Sequence, residues 1–183
     1  MEIRKYQAND KIYCREICFL TARCRETDRQ KAILCNLYND YYTETEPENC
    51  FVLTDGNKVV GYIISSESFS KYEPSFTTRY LPELKKLSLT NYFIKKCSLK
   101  IEKTLAKKFP AHLHIDLLPD YTGKGFGGKM LEIALENLRL KGVTGIFLGV
   151  NYKNIRAVNF YKTHGFSTKF TIFPFVRYMV KEL

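Results

Sequence analysis

No stretch of about 18 uninterrupted apolar residues occurs in the chain, so no membrane-spanning helix is expected. The first residues, Met1 to Glu16, are charged from Glu2 onward and lack the apolar core of a secretory leader. A cytoplasmic location follows as an expectation. None of the six cysteines (Cys14, Cys18, Cys24, Cys35, Cys50, Cys97) forms a C-x-x-C pair. Cys14 and Cys18 lie one helical turn apart, with no histidine beside them to complete a zinc site. A disulfide framework belongs to small secreted chains, so reduced thiols are expected here. Internal repeats and low-complexity tracts are also missing. So are acids over a long span, since no Asp or Glu occurs between Glu136 and Glu182.

What is present is ordinary in size and unusual in charge. The 183 residues, 45% of them hydrophobic, suit one domain (residues 1–183) with a proper core and exclude global disorder. There are 29 Lys and Arg against 19 Asp and Glu, a net charge of +10. That excess makes nucleic acid, a membrane surface or a phosphorylated cofactor each a plausible partner. Between Arg79 and Lys108 nine cations face only Glu83 and Glu102, a local excess of +7. Two readings suit this segment. It is a solvated helix face whose Leu84, Leu87, Leu99, Ile101 and Leu105 pack on a sheet, or an electropositive wall beside an anion site.

Periodicity supplies the elements. Glu2 to Tyr6 reads as a strand. A helix capped by Asn9 or Asp10 runs to about Arg23, with Ile12, Ile17, Phe19 and Leu20 as its apolar stripe. Asp28 is a possible cap for a second helix towards Tyr41. Cys50 to Thr54 and Lys58 to Ser65 form a hairpin around Asp55-Gly56-Asn57. Residues 66–110 form an insertion, helical and basic from Leu81 to Phe109. Then follow a strand His112 to Leu118, a glycine-rich loop, and a helix Lys129 to Lys141 with Met130, Ile133, Ala134 and Leu138 inward. A buried strand Gly145 to Val150 and a helix Asn154 to Thr163, stopped by His164-Gly165, come next. Strands Phe166 to Phe173 and Phe175 to Val180 finish the chain. This order predicts an α/β fold, a three-layer sandwich around a mixed sheet.

The loop Gly123-Lys124-Gly125-Phe126-Gly127-Gly128-Lys129 fits several phosphate motifs, all of which aim backbone N–H groups at an anion from a helix N-terminus. As a P-loop it needs Ser or Thr after Lys129 to hold magnesium, and Met130 stands there. As a dinucleotide fingerprint it needs an acid about 20 residues on, and the acid-free span removes it. A third reading remains. Pro119-Asp120-Tyr121 followed by Thr122-Gly123-Lys124-Gly125-Phe126-Gly127 resembles the acetyl-CoA signature of the GNAT superfamily of N-acetyltransferases. Asn154-Ile155-Arg156-Ala157-Val158-Asn159-Phe160-Tyr161, continuing to Gly165-Phe166, resembles that family's second signature. The likeness covers about Ala111 to Thr168. Thr122 departs from it, standing where the family usually has Gln or Arg.

The resemblance implies acetyl transfer from acetyl-CoA to an amine acceptor, on a sheet splayed at its centre. It implies a coenzyme-binding set of Leu117, Leu118, Pro119, Thr122, Gly123, Lys124, Gly125, Phe126, Gly127, Gly128, Asn154 and Ala157. Within it the pantetheine arm pairs with Leu117 and Leu118, and the Leu118 N–H is a candidate oxyanion donor. The pyrophosphate lies on the amides of residues 123–128 with Lys124 adding charge, while Asn154 bonds the pantetheine and Ala157 leaves it room. Tyr161 matches the family's general acid, against the plainer reading of a packing residue. The general base is open between Asp116 and a water. His112, His114 and Asp116 share one strand face, which also resembles a metal-binding row, but one further histidine and no adjacent cysteine argue against a metal. Pairing of two copies through the C-terminal strands is a further expectation. The alternative function is a non-catalytic acyl-CoA-binding or nucleic-acid-associated module, for which the aromatic residues within the basic segment speak and the absence of a nucleic-acid motif speaks against.

Overall fold

A computed structural model of the protein describes residues 1–22 and 27–183. Arg23, expected at the end of the first helix, and Cys24, expected as a reduced thiol, lie outside the described residues. The strands are β1 (Glu2–Lys5), β2 (Cys50–Asp55), β3 (Lys58–Ser66), β4 (Ala111–Leu117), β5 (Gly145–Asn151), β6 (Ser167–Ile172) and β7 (Val176–Glu182). They form one mixed sheet in the order β1-β2-β3-β4-β5-β7-β6, in which β4 and β5 are the parallel pair and the other neighbours are antiparallel. One face carries α1 (Lys11–Thr21), α2 (Asp28–Tyr38), α3 (Asp40–Thr45), α4 (Phe69–Ser75), α5 (Leu81–Leu87) and α6 (Leu89–Ala106). The other carries α7 (Phe126–Leu140) and α8 (Ile155–Thr163). The result is the expected α/β sandwich. No helix among the described residues is long and apolar enough to cross a membrane.

Local chemistry explains where the elements differ from expectation. The α2 cap is Thr27, whose hydroxyl accepts from the Gln30 N–H at 3.1 Å; Asp28 is the first helical residue, where a carboxylate favours the N-terminal dipole. Asp10 does not cap α1 by its side chain. Its carboxylate accepts from the Gln7 N–H and pairs with Arg4 at 2.7 Å. The α1 stripe turns by part of a turn: Cys14, Ile17 and Cys18 are buried, and Ile12 and Leu20 face outward. Cys14, Cys18, Cys35 and Cys50 occupy the core as small apolar groups, Cys97 is exposed on α6, and all five described cysteines are free. In α7, Ile133 is exposed, and Leu131 and Leu135 complete the inner face.

The basic segment is two helices split by Ser88, whose extended backbone and hydroxyl, accepting from the Asn91 N–H at 3.3 Å, start α6 afresh. Leu84, Leu99 and Leu105 are buried, and Leu87 and Ile101 pack beside them. Five of its nine cations sit in ion pairs: Arg79–Glu44, Lys86–Glu83, Lys95–Glu102, Lys103–Glu73 and Lys108–Glu182. The segment packs on the sheet face opposite the glycine loop's helix. It is therefore no electropositive wall beside that loop, and the solvated-face reading describes it.

Candidate active site

The site begins where two strands stop pairing. β4 and β5 are in register at Ala111↔Ile146 and His112↔Phe147, and no further pair joins them. Beyond that point β4 still follows β3 up to Gly61↔Leu117. The sheet is thus split at its centre, with β4 backbone groups facing a gap. Which groups these are follows from antiparallel alternation. The Leu118 N–H donates to the Val60 carbonyl at 3.0 Å, and the Leu118 carbonyl accepts from Tyr121. Leu118, the expected oxyanion donor, is engaged on the β3 side. By parity the N–H and C=O of Leu117 face the gap.

Side-chain alternation divides the same strand. Leu113, Ile115 and Leu117 point toward α7 and α8, and His112, His114 and Asp116 point toward α1–α6. Asp116 is half-buried opposite Tyr62 in the β3–β4 register, and the Tyr62 hydroxyl donates to its Oδ2 at 2.5 Å. Burial pushes the Asp116 carboxyl up to about 6, although hydrogen bonds from Tyr62 and Thr21 favour its charged form. Tyr161 approaches from the other face. The end of α8 fixes it: Gly165 at φ 83° lets the Phe166 N–H return to the Tyr161 carbonyl at 3.0 Å and the Gly165 N–H reach that of Lys162. The Phe166 ring closes this turn on Tyr161 at 5.3 Å between centroids, edge to face. Burial, then the Asp116 charge, raises the Tyr161 phenol above its ordinary value. Its hydroxyl makes no hydrogen bond among the described residues.

The glycine loop uses its glycines in two ways. Gly123 and Gly125 have φ 75° and 81°, a left-handed region that side chains resist, and a Cβ on Gly125 would meet nothing within 4 Å. Gly127 and Gly128 instead permit close packing, since a Cβ on Gly128 would lie 2.8 Å from His164 Nε2. The amides of residues 123–128 donate to no group among the described residues, leaving an open cradle at the N-terminus of α7. Thr122 supports this loop from below, its hydroxyl donating to the Pro119 carbonyl at 2.7 Å. Asn154 caps α8 through Oδ1, accepting from the Ala157 N–H at 3.0 Å, so its Nδ2 stays available. Lys124 lies over the Tyr121 ring.

Two residues beside the site carry no recognisable signal in the sequence. Tyr62 stands within the apolar run of β3 and belongs to no motif. Arg156 was one letter within a motif, but its guanidinium lies 4.0 Å from where a Gly123 Cβ would be, beside the cradle. The row of His112, His114 and Asp116 does not converge on a common point. Among the described residues the carboxylates close enough to share an ion are Glu46, Glu48 and Glu67, and Lys141 already pairs with Glu67 at 2.9 Å.

Residues 15–166 match the model of the acetyltransferase (GNAT) family. The crystal structure of SsHAT superposes with a TM-score of 0.82 at 25% identity, over 99% of this chain and 97% of that one. PaiA N-acetyltransferase from Thermoplasma acidophilum, solved with coenzyme A, gives 0.62 at 16% identity over 100% and 98%. A ribosomal-protein-alanine N-acetyltransferase from Brucella melitensis gives 0.62 at 15% identity over the whole of both chains. The split sheet, the open amide cradle and the family match agree, and the chain belongs to the acetyltransferase (GNAT) family, an acyltransferase whose acyl donor is acetyl-CoA.

Proposed function

We propose that the protein moves an acetyl group from acetyl-CoA to a primary amine by direct attack on the thioester. The observation that carries this reading is the lapse of β4–β5 pairing after His112↔Phe147, with the Asp116 carboxylate on one side of the strand and the free Tyr161 hydroxyl on the other. A donor on the α7–α8 side and an acceptor on the α1–α6 side would meet in that gap.

The amides of Gly123, Lys124, Gly125, Phe126, Gly127 and Gly128 receive the pyrophosphate, with the Lys124 and Arg156 charges beside it. Leu117 offers its N–H and C=O to the pantetheine arm as an added strand, and its N–H polarises the thioester carbonyl. Asn154 Nδ2 bonds the arm, and the small Ala157 leaves it space. Pro119, Leu118 and Thr122 keep the loop's shape. As the C–N bond forms, Asp116 takes the ammonium proton; as the C–S bond breaks, Tyr161 supplies a proton to the sulfur. Burial keeps the phenol protonated, so what recommends Tyr161 is its position and its free hydroxyl rather than its acidity. In this reading residues 1–183 act as one domain, with the helices of residues 66–110 walling the acceptor side.

Calorimetry with acetyl-CoA, followed by thiol release in the presence of a panel of amines, tests the proposal. Micromolar binding and amine-dependent release are expected; binding without release for any amine would refute it.

A further inference from the structure

A glycine inside a buried strand weakens it and asks for a cause: a bulge, a tight bend, or the close approach of another group. In β5, Gly145 has one, since a Cβ there would lie 2.8 Å from the Phe109 ring. Gly149 has none of these within the fold. Its backbone is not left-handed, and the β5–β7 register runs unbroken from Gly145↔Glu182 to Asn151↔Val176. A Cβ would meet Val176 Cγ2 at 3.1 Å, a contact that a small shift relieves. Gly149 is also exposed, although its neighbours Leu148 and Val150 are buried. The cause that remains is the approach of a ligand.

The space beside it suits one. Gly149 lies in the wall of a cavity of about 270 Å³ on the α1–α6 side, with Val176 and Tyr178 flanking the missing side chain. The cavity closes at Phe147, where β4 and β5 pair, and the exposed Ile94 and Phe175 stand at its mouth. An apolar cavity of about 150 Å³ takes a benzene ring, so this one has room for a body of that size. Its charges are compensated. Lys95 and Glu102 pair at 2.9 Å with each side chain 14% exposed, and burial keeps both lining imidazoles neutral, His114 being lowered to about 3. A charged ligand body would lose its water and gain no free counter-charge among the described lining residues.

The main chain of Gly149 is as open as its side. The Tyr152 N–H donates to the Phe175 carbonyl at 3.0 Å and the Leu183 N–H to the Thr144 carbonyl at 3.1 Å. Even residues of β5 therefore bond to β7, and odd ones face β4. Pairing with β4 ends at His112↔Phe147, which leaves the Gly149 N–H and C=O facing the gap. Continuing that register puts Gly149 level with His114, three residues or about 10 Å short of Leu117. An amine bonded to the Gly149 carbonyl, attacking at about 3.3 Å a thioester whose oxygen is bonded to the Leu117 N–H, also spans about 10 Å.

We propose that Gly149 selects the acceptor. Its carbonyl holds the amine, and the space left by its missing side chain admits an uncharged, apolar body of about ring size. Free arylalkylamines and polypeptide amino termini with a large apolar first residue share this chemistry. The inference rests on the β4–β5 gap being the place of acetyl transfer.

The test measures kcat/KM for 2-phenylethylamine, an amidated tripeptide beginning with Phe, ethylamine and spermidine, after calorimetry with acetyl-CoA, in the wild type, Gly149→Ala and Gly149→Val. The wild type is expected to favour an aromatic acceptor over ethylamine by about 10²-fold, the worth of burying one ring. In Gly149→Val that ratio should fall to about one, with Gly149→Ala between the two and acetyl-CoA affinity unchanged in both. A general loss of structure lowers all acceptors alike and does not move the ratio. An unchanged ratio in Gly149→Val would overturn the role of Gly149; should that variant not fold, Gly149→Ala decides in the same way. Either aromatic acceptor supports the inference, and the faster one identifies its source. Transfer to ethylamine or spermidine but to neither aromatic acceptor would overturn the inference while leaving the acetyltransferase reading intact. Failure to bind acetyl-CoA would overturn both.

Discussion

The two faces of the sheet are built from different materials. Under α7 and α8 the core is aliphatic, with Leu113, Met130, Leu131, Leu135, Leu138 and Ile146 as ordinary packing residues. Under α1–α6 it is aromatic and polar, with Tyr41, Tyr42, Tyr62, Tyr72, Phe76 and Tyr80 around buried His112 and Glu46. The aliphatic face leaves recognition to the backbone: free amides at a helix start and an unpaired strand edge, which need only glycine and geometry. The aromatic face carries buried polar side chains placed one by one, as Glu46 is held by Tyr41, Asn49, Ser66 and the Glu67 N–H. In the proposed reading the first face binds a common donor, for which generic packing suffices, and the second selects an acceptor, for which it does not.

If that division is right, substitutions on the two faces fail in different ways. The largest effect is expected from Asp116→Asn, which should lower kcat about 10³-fold with little change in the KM for acetyl-CoA. The groups facing this carboxylate are Tyr62, Thr21, Cys18 and Tyr161, from β3, α1 and α8. Only the ionised form accepts a proton, so wild-type kcat/KM should fall tenfold per pH unit below about 6, and the variant should lose that limb. The native value lies above the unfolded one, so protonated Asp116 favours the fold and this contribution fades as pH rises from about 4 to about 6. Asp116→Asn should therefore melt higher than wild type at pH 8. A pH profile with no limb near 6 in the wild type would remove Asp116 as the base.

Tyr161→Phe sharpens the comparison, because Tyr161 belongs to the aliphatic core yet would do chemistry. A loss of about 10² in kcat, with unchanged acetyl-CoA affinity and melting temperature, is expected. A packing role alone predicts no loss, since the phenyl ring still meets Phe166. Gly125→Val tests the backbone side. The added side chain costs about 1–2 kcal/mol in a left-handed conformation and projects into the cradle rather than into the protein. Acetyl-CoA affinity should drop about 10²-fold by calorimetry, whereas kcat at saturation changes little.

How much of this was legible beforehand follows the same division. The loop and its flanking helix were readable because glycines at positive φ, an Asn cap and a Gly-Phe helix stop leave marks in the local sequence. The split sheet followed from those motifs. The Leu118 error came from strand parity: one residue's shift exchanges the β3 side for the gap, and parity is set by long-range pairing with Val60. The acceptor face left almost no local trace. Its cavity joins residues of α2, α6, β4, β5 and β7, and the pairing of Lys95 with Glu102 looks in sequence like any two charges on a basic helix. The charge excess misled for the same reason, since three of the nine Arg79–Lys108 cations answer to carboxylates on distant elements, Glu44, Glu73 and Glu182.

The smallest effect expected is that of Arg156→Ala, and it asks whether the backbone cradle needs side-chain charge at all. Arg156 is exposed, so its attraction for a phosphate is screened by salt within about 8–10 Å at physiological ionic strength. Its position beside Gly123 suits a charge-assisted bond, worth about tenfold in affinity when one donor is lost. Acetyl-CoA should bind about tenfold more weakly to the variant in low salt, and the gap should narrow in 0.5 M salt, a concentration at which about 4 Å of screening length remains. A salt-independent loss would mean that Arg156 shapes the loop instead. No loss at all would mean that free amides and Lys124 hold the anion unaided, and the contrast between a backbone face and a side-chain face would be sharper than drawn.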